Sequence, residues 1–239
     1  MRTTGEPASG NGASSFHLWW EPPPPSADEI AVTLTVEDEP RHDRLVFWAL
    51  QVEFRSGFRH MGGAHIGLQW NRRHVRSRAV NWGGYDGSGK VLAGSESTLP
   101  STPGDPNTRD FPWEPGRPYR LTVRPGSSPG RWLGVVTDMT AGSRVEVREL
   151  FTGGEWLARP VVWSEVFARC EGPSVAATWS DPVTEGPRGR VAPGGYRVSY
   201  QSEEAGGCSN TTVVHGAGGV RQITAAVRTT QDGSLVPVG

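Results

Sequence analysis

Lysine is almost missing from this chain: of its 24 basic residues, only Lys90 is not an arginine. Schiff-base chemistry therefore has a single candidate nitrogen, and the arginine bias points to a GC-rich genome. Cysteine is scarce as well, with Cys170 and Cys208 alone. Two thiols without CxxC spacing do not make a zinc site. They could close one disulfide, or stay free in a reducing cytosol. No apolar run reaches the ~18 residues of a membrane helix, so no membrane partner is expected. The opening MRTTGEPASGNGASSFHLWWEPPPP lacks the continuous apolar stretch of a secretory signal. As written the chain reads as cytoplasmic, or as secreted if a leader has been removed.

Charge of one sign is lacking too. The 24 basic and 25 acidic residues nearly cancel, so no global field draws the protein to nucleic acid. The basic run from Arg72 to Arg78 reads as a solvated loop and strand edge. Catalytic signatures are also absent: there is no G-x-S-x-G elbow, zinc helix, calcium loop or dinucleotide fingerprint. The six histidines fit no metal-ligand spacing, although His60 and His65 flank MGGA and could meet across a bend. The expectation is a protein without metal or cofactor. Gly84 and Gly89-Lys90 come close to a phosphate loop, but Val91 stands where Ser or Thr would hold magnesium, and no helix can start after it. Asp86-Gly87 and Ser88-Gly89 instead supply a hairpin turn.

What is abundant is turn chemistry. Gly 32 and Pro 20 make about a fifth of the chain turn-forming, which suits many short strands rather than a helical bundle. Runs such as IAVTLTVE, RLVFWALQVEF, AHIGLQWN, SRAVNWGG, PYRLTVRP, RWLGVVTDM, VVWSEVFARC and GYRVSYQS alternate apolar and polar side chains. With no βαβ rhythm, the expected fold class is all-β, an antiparallel β-sandwich or jelly roll. Residues 1–15 are small and polar and read as a disordered tail. Residues 16–182 form the sandwich, and 183–239 a small C-terminal β extension docked on it.

Strand parity locates a candidate site. In HIGLQWN, His65, Gln69 and Asn71 share one face, and in LVFWALQVEF, Gln51 and Glu53 lie together. A meander would set these strands side by side and make a polar groove. Glu53 and Glu165 lie in otherwise apolar strands, where a charge costs energy unless it is paired or open to a cleft. The plain reading is a buried pair, such as Glu165 with Arg169 or Arg159. The functional reading is a carboxylate at a site. Glu146 and Glu149 in VEVREL have odd spacing and should face apart unless a bulge intervenes. Ten tryptophans supply core and, among amides, flat platforms for sugars or apolar ligands. The candidate set is Glu53 and Glu165 for catalysis, and Gln51, His65, Gln69, Asn71, Asn81, Trp82 and Trp163 for binding.

Several pieces, in order, resemble the bacterial domain-of-unknown-function family numbered 3472. GGAHIGLQWN is similar to its Gly-rich entry into a G-[IL]-Q strand, and AVNWGGYD to its Trp-containing strand. PWEPGRPYRLTV resembles its W-x-x-G-x-x-Y segment, GEWLARP its Trp-bearing turn, and WSEVF its late Glu-containing strand. The resemblance covers about residues 45–182. It implies a concanavalin-like β-sandwich, often found in exported proteins beside carbohydrate-binding modules, with no settled activity. Gln69, Trp82, Trp113, Gly116, Tyr119, Trp156 and Glu165 fall on its recurring positions.

Two functional expectations follow. The first is a binding module that recognises a glycan or other small molecule through a Trp-flanked polar cleft. The second is an enzyme, either a cytoplasmic tailoring cyclase or isomerase with a Trp-lined cavity, or a polysaccharide-active hydrolase or lyase using Glu53 and Glu165. Missing catalytic motifs favour the first.

Overall fold

The computed structural model describes residues 1–100, 105–216 and 218–238. Two antiparallel sheets pack face to face, and the described residues include no α-helix, only one 3-10 turn at Val75–Ser77. Numbered in chain order, the first sheet contains β1 (Ser14–Glu21), β3 (Val46–Ser56), β4 (Arg59–Trp70), β5 (Arg78–Asp86) and β6 (Thr108–Asp110). It also holds β10 (Trp156–Val166), β13 (Gly195–Tyr200) and β16 (Leu235–Pro237), in the order β16-β13-β1-β10-β3-β4-β5-β6. The second contains β2 (Glu29–Val36), β7 (Pro118–Pro125), β8 (Arg131–Asp138), β9 (Arg144–Phe151), β11 (Ala176–Gly186), β14 (Thr212–Gly216) and β15 (Gly219–Ile223). Its order is β14-β15-β11-β2-β7-β8-β9, with β12 (Gly189–Val191) beside β11. The expected all-β sandwich is the observed fold.

Alternation decides the core. Phe16, Leu18 and Trp20 of β1 point inward, as do Trp48, Leu50, Val52 and Phe54 of β3 and Ile66 and Leu68 of β4. They meet Ile30, Val32 and Leu34 of β2, Leu121 and Val123 of β7, and Trp179 of β11. One buried amide ties the layers: Gln222 of β15 accepts from Trp179 Nε1 and Ser164 Oγ, and donates to the Phe16 carbonyl. The bonds from Trp179 and Ser164 satisfy side-chain donors that would otherwise be buried unpaired.

The termini differ from expectation. Residues 1–15 are expected to be a disordered tail, but Ser14 and Ser15 open β1 and the residues before them are hydrogen-bonded along one end of the sandwich. Arg2 and Ser209 exchange bonds, Gly5 N donates to Glu171 and its carbonyl accepts from Cys170 N, and Ala8 N donates to the Gly206 carbonyl. Backbone pairing, which needs no side chains, orders this small polar segment. The last fifty residues enter both layers, with β13 and β16 in the first sheet and β14 and β15 in the second. Cys170 and Cys208 form a disulfide that fastens the end of β10 to this C-terminal segment.

The Asp86–Lys90 turn closes as a hairpin. Asp86 N donates to the Lys90 carbonyl, and the Asp86 carboxylate accepts from Ser88 and Lys90 amides. The residues after the turn do not continue as a strand: Val91 makes an isolated bridge to Tyr85.

Candidate functional site

The meander β3-β4-β5 is present, with β10 on its far side, and its register fixes what stands on the outer face. Pairing runs Glu165–Phe47–Gln69–Ala79 in one row across the sheet, and Trp163–Ala49–Gly67–Asn81 in the next. Val161–Gln51–His65–Gly83 make the third row. Glu53, Gly63 and Tyr85 follow beyond it. Because side chains alternate, all of these share the solvent side. Small residues at Ala49, Gly67, Gly63 and Gly83 lower the floor between taller neighbours. At Gly67 no side chain fits, since a Cβ would lie 2.0 Å from the Trp48 carbonyl oxygen.

Three rings rise from that floor. Phe47 meets Trp163 edge-on with centroids 4.9 Å apart and His65 at 5.4 Å, and His65 lies 5.6 Å from Trp163. Burial among them pushes His65 down from 6.5 to about 4, so it is neutral at physiological pH. His17 on β1, stacked on Trp19, is lowered to about 4 for the same reason.

On either side of the rings lies a concavity. One, of about 600 Å³, is bordered by Gln51, Glu53, His65, Tyr85, Trp163 and Glu165. The other, of about 550 Å³, is bordered by Phe47, Gln69, Asn71, Asn81, Asn107 and Thr108. Its amides make two separate bonds: Asn71 Nδ2 donates to Gln69 Oε1, and Asn81 Nδ2 donates to Thr108 Oγ1. These bonds leave atoms over. Asn81 Oδ1, Asn107 Oδ1 and Trp163 Nε1 are buried with no hydrogen-bond partner among the described residues. Asn81 and Trp163 are each only 7 % exposed. Native proteins rarely leave such groups unpaired, and each costs ~1–3 kcal/mol unless something outside the chain bonds it.

The two carboxylates behave differently. Glu53 is ion-paired with Arg55, and with Arg159 at 3.7 Å, and His60 Nδ1 lies 3.6 Å from it. A bulge between Ala158 and Val161 holds Arg159 at φ 47, where its guanidinium lies over Trp19 and beside Glu53. Among the described residues Glu165 makes no ion pair, with Arg169 or with Arg159, contrary to the buried pair expected. Arg169 turns to Glu171 instead. Glu165 accepts one hydrogen bond, from Asn11 Nδ2 at 2.8 Å. Burial raises its pKa, and the Asn11 bond only partly opposes that rise.

Eight of the nine expected residues border the two concavities from this face: Glu53, Glu165, Gln51, His65, Gln69, Asn71, Asn81 and Trp163. Trp82 does not. It follows Asn81 directly and points inward, fully buried, over Gly134, where a Cβ would lie 2.6 Å from its ring. Trp113 and Tyr119 are likewise core, and Trp113 Nε1 donates to the Gln69 carbonyl at 3.0 Å. Glu53 and Glu165 do not form a catalytic pair. Glu165 pairs with Phe47 in register, and Glu53 stands six residues further along β3, roughly 20 Å by strand rise. Glycosidase carboxylates sit about 5–9.5 Å apart.

Phe47, Tyr85, Asn107, Thr108 and Asn11 belong to the site but were not expected. Phe47 shares parity with Gln51 and Glu53, so the alternation of β3 contains its signal. Nothing local marks Asn11, which reaches Glu165 from 154 positions away.

Fold and site together define an antiparallel β-sandwich with an amide- and aromatic-lined cleft on the outer face of one sheet. No protein-family model and no curated protein matches the chain. Among solved structures it is similar to Scytalido-glutamic peptidase bound to a peptide-based transition-state analogue, at 8% identity and TM-score 0.45. That match covers 94% of this chain and 100% of the other. The eqolisin-family peptidase SCP-B with the tripeptide Ala-Ile-His matches at 9% identity and TM-score 0.46, covering 92% and 98%. Lectin I from Ulex europaeus with the methyl glycoside of α-L-fucose matches at 10% and 0.30, covering 69% and 74%. At these scores the likenesses add nothing to the strand arrangement already described.

Proposed function

We propose that this protein is a glycan-binding β-sandwich whose ligand occupies the cleft over β10, β3, β4 and β5. One observation carries the reading: buried Asn81 and Trp163 and half-buried Asn107, which line the cleft, hold hydrogen-bonding atoms that no described residue satisfies. A sugar offers hydroxyls that both donate and accept, which suits two amide oxygens and an indole N–H. Its apolar ring faces suit Trp163, Phe47 and neutral His65. The Cys170–Cys208 disulfide supports an oxidising compartment, the secreted alternative.

Calorimetry of the purified protein against a glycan panel, repeated with Asn81→Ala and Trp163→Ala, tests this. Binding in the wild type, weakened by both changes, is expected. Absence of any glycan binder, or binders indifferent to both changes, would overturn it.

A second reading rests on Glu165. Among the described residues it has no ion pair, and burial raises its pKa above the ordinary carboxylate value, which is the direction a general acid needs. Turnover of a bound ligand, abolished in Glu165→Gln with binding kept, would establish this reading.

A further inference from the structure

The two concavities do not end the path available to a ligand. A third, of about 580 Å³, is bordered by Arg59, His60, Met61, Lys90, Val91 and Phe151. It shares His60 and Asp86 with the concavity at Glu53, and that one shares Phe47, His65 and Tyr85 with the concavity at Gln69. Leu45 borders one extreme and Arg59, paired with Ser56, the other. The whole length of β3 lies between, roughly 35 Å. A compact molecule would fill one compartment. A linear one can follow all three.

The chemistry changes along that line. The Gln69 end is rich in amides, whereas the hairpin end is cationic. Among the described residues Arg59 and Lys90 have no side-chain ion pair, and the nearby Asp86 carboxylate is bonded to Ser88 and the Lys90 amide of its own turn. Further along the cleft, Glu53 is already held by Arg55 and Arg159. Rings stand at the same end: Phe58 at the hairpin tip is fully exposed and Tyr85 is 53% exposed, whereas the Phe151 ring is covered on one face by the Arg131 guanidinium. Unpaired cations beside accessible rings match a sugar that carries an anion.

We propose that the cleft binds a linear acidic polysaccharide, with a uronate carboxylate seated between Arg59 and Lys90 and the chain running along β3. This rests on the glycan reading above and adds to it the length and charge of the ligand.

The test uses oligouronates of defined length, from disaccharide to octasaccharide, against the same sugars with carboxyl groups reduced to alcohols. Affinity should rise about tenfold or more from disaccharide to hexasaccharide, and fall with added salt. Carboxyl reduction should remove most of that gain. The Arg59→Gln/Lys90→Gln double variant should bind acidic and reduced sugars alike. Both side chains are exposed, so an unchanged unfolding curve confirms that it folds. Affinity independent of length, or equal for acidic and reduced sugars in the wild type, overturns this proposal and leaves the glycan reading standing. A wild type that binds neither series nor any glycan of the panel overturns both.

Discussion

The two sheets are built by the same rules, yet their outer faces differ. On the second sheet the polar groups face each other. Glu37 bonds Arg221 and Thr178, Glu146 lies between Arg124 and Arg144, and Arg120 bonds Thr33. On the first sheet, three rings stand on a floor of alanine and glycine, and the amides around them have bonding capacity left over. There the charges mostly pair with one another, although Arg124 Nε is left without a partner among the described residues. A face that buries rings and unpaired amides holds a cost that only a ligand or solvent can relieve.

The sharpest way to break this contrast is with two tryptophans. Trp82→Ala should destabilise the fold by about 3–5 kcal/mol, as expected for emptying a core site. Trp163→Ala should cost less stability and abolish ligand binding. Denaturant unfolding measures the first, and similar unfolding midpoints for both variants would erase the distinction between core and cleft.

Reducing the Cys170–Cys208 bond should be nearly as costly. Its 38-residue separation corresponds to about 4 kcal/mol in the chain-entropy model. A melting temperature indifferent to reductant would show that the C-terminal strands hold without the bond.

Acid should separate the faces further. His17 and His65 are lowered from 6.5 to about 4 in the folded protein. The unfolded chain therefore binds more protons in that window, and stability is lost as pH falls from 6.5 towards 4. Glu165 acts in the opposite sense. Its raised pKa means that the folded form holds the proton longer, so its contribution is lost as pH rises above the ordinary carboxylate value. Glu37 on the second sheet is lowered by its bond to Arg221, so it weakens the fold only below about 4.5. Unfolding free energy against pH should thus flatten between 6.5 and 4 in a His17→Asn/His65→Asn variant. A wild-type profile already flat there would contradict the neutral histidines.

Smaller effects finish the series. Asn81→Ala should weaken glycan binding by ~1 kcal/mol, read by calorimetry. Arg221→Gln should change stability by less than ~1 kcal/mol, because the pair is partly exposed, and leave binding untouched. Loss of binding from that change would move the ligand to the wrong sheet.

Much of the site is legible along the chain. Gln51 with Glu53, and His65 with Gln69, follow from alternation, and the turn chemistry of β3-β4-β5 implies the meander. Parity also forbids what the candidate list combined: Asn81 and Trp82 are consecutive, so one of them must face the core. Other features have no local signal. The bulge on β9 opposite Gly134 and Val135 breaks parity between Glu146 and Glu149, yet nothing in VEVREL marks it. β1 was hidden because SSFHLWW follows a polar segment and precedes four prolines, although it lies in mid-sheet between β13 and β10.

By itself the sequence determined the class of fold, the strands of the meander and which residues share a face, because period two is a property of each strand's own backbone. Tertiary structure alone decided which face met the other sheet, that Glu53 would take the arginines while Glu165 took Asn11, and that Cys170 would reach Cys208. Those outcomes depend on contacts between residues far apart in the chain, and no local pattern encodes which distant strand will become a neighbour.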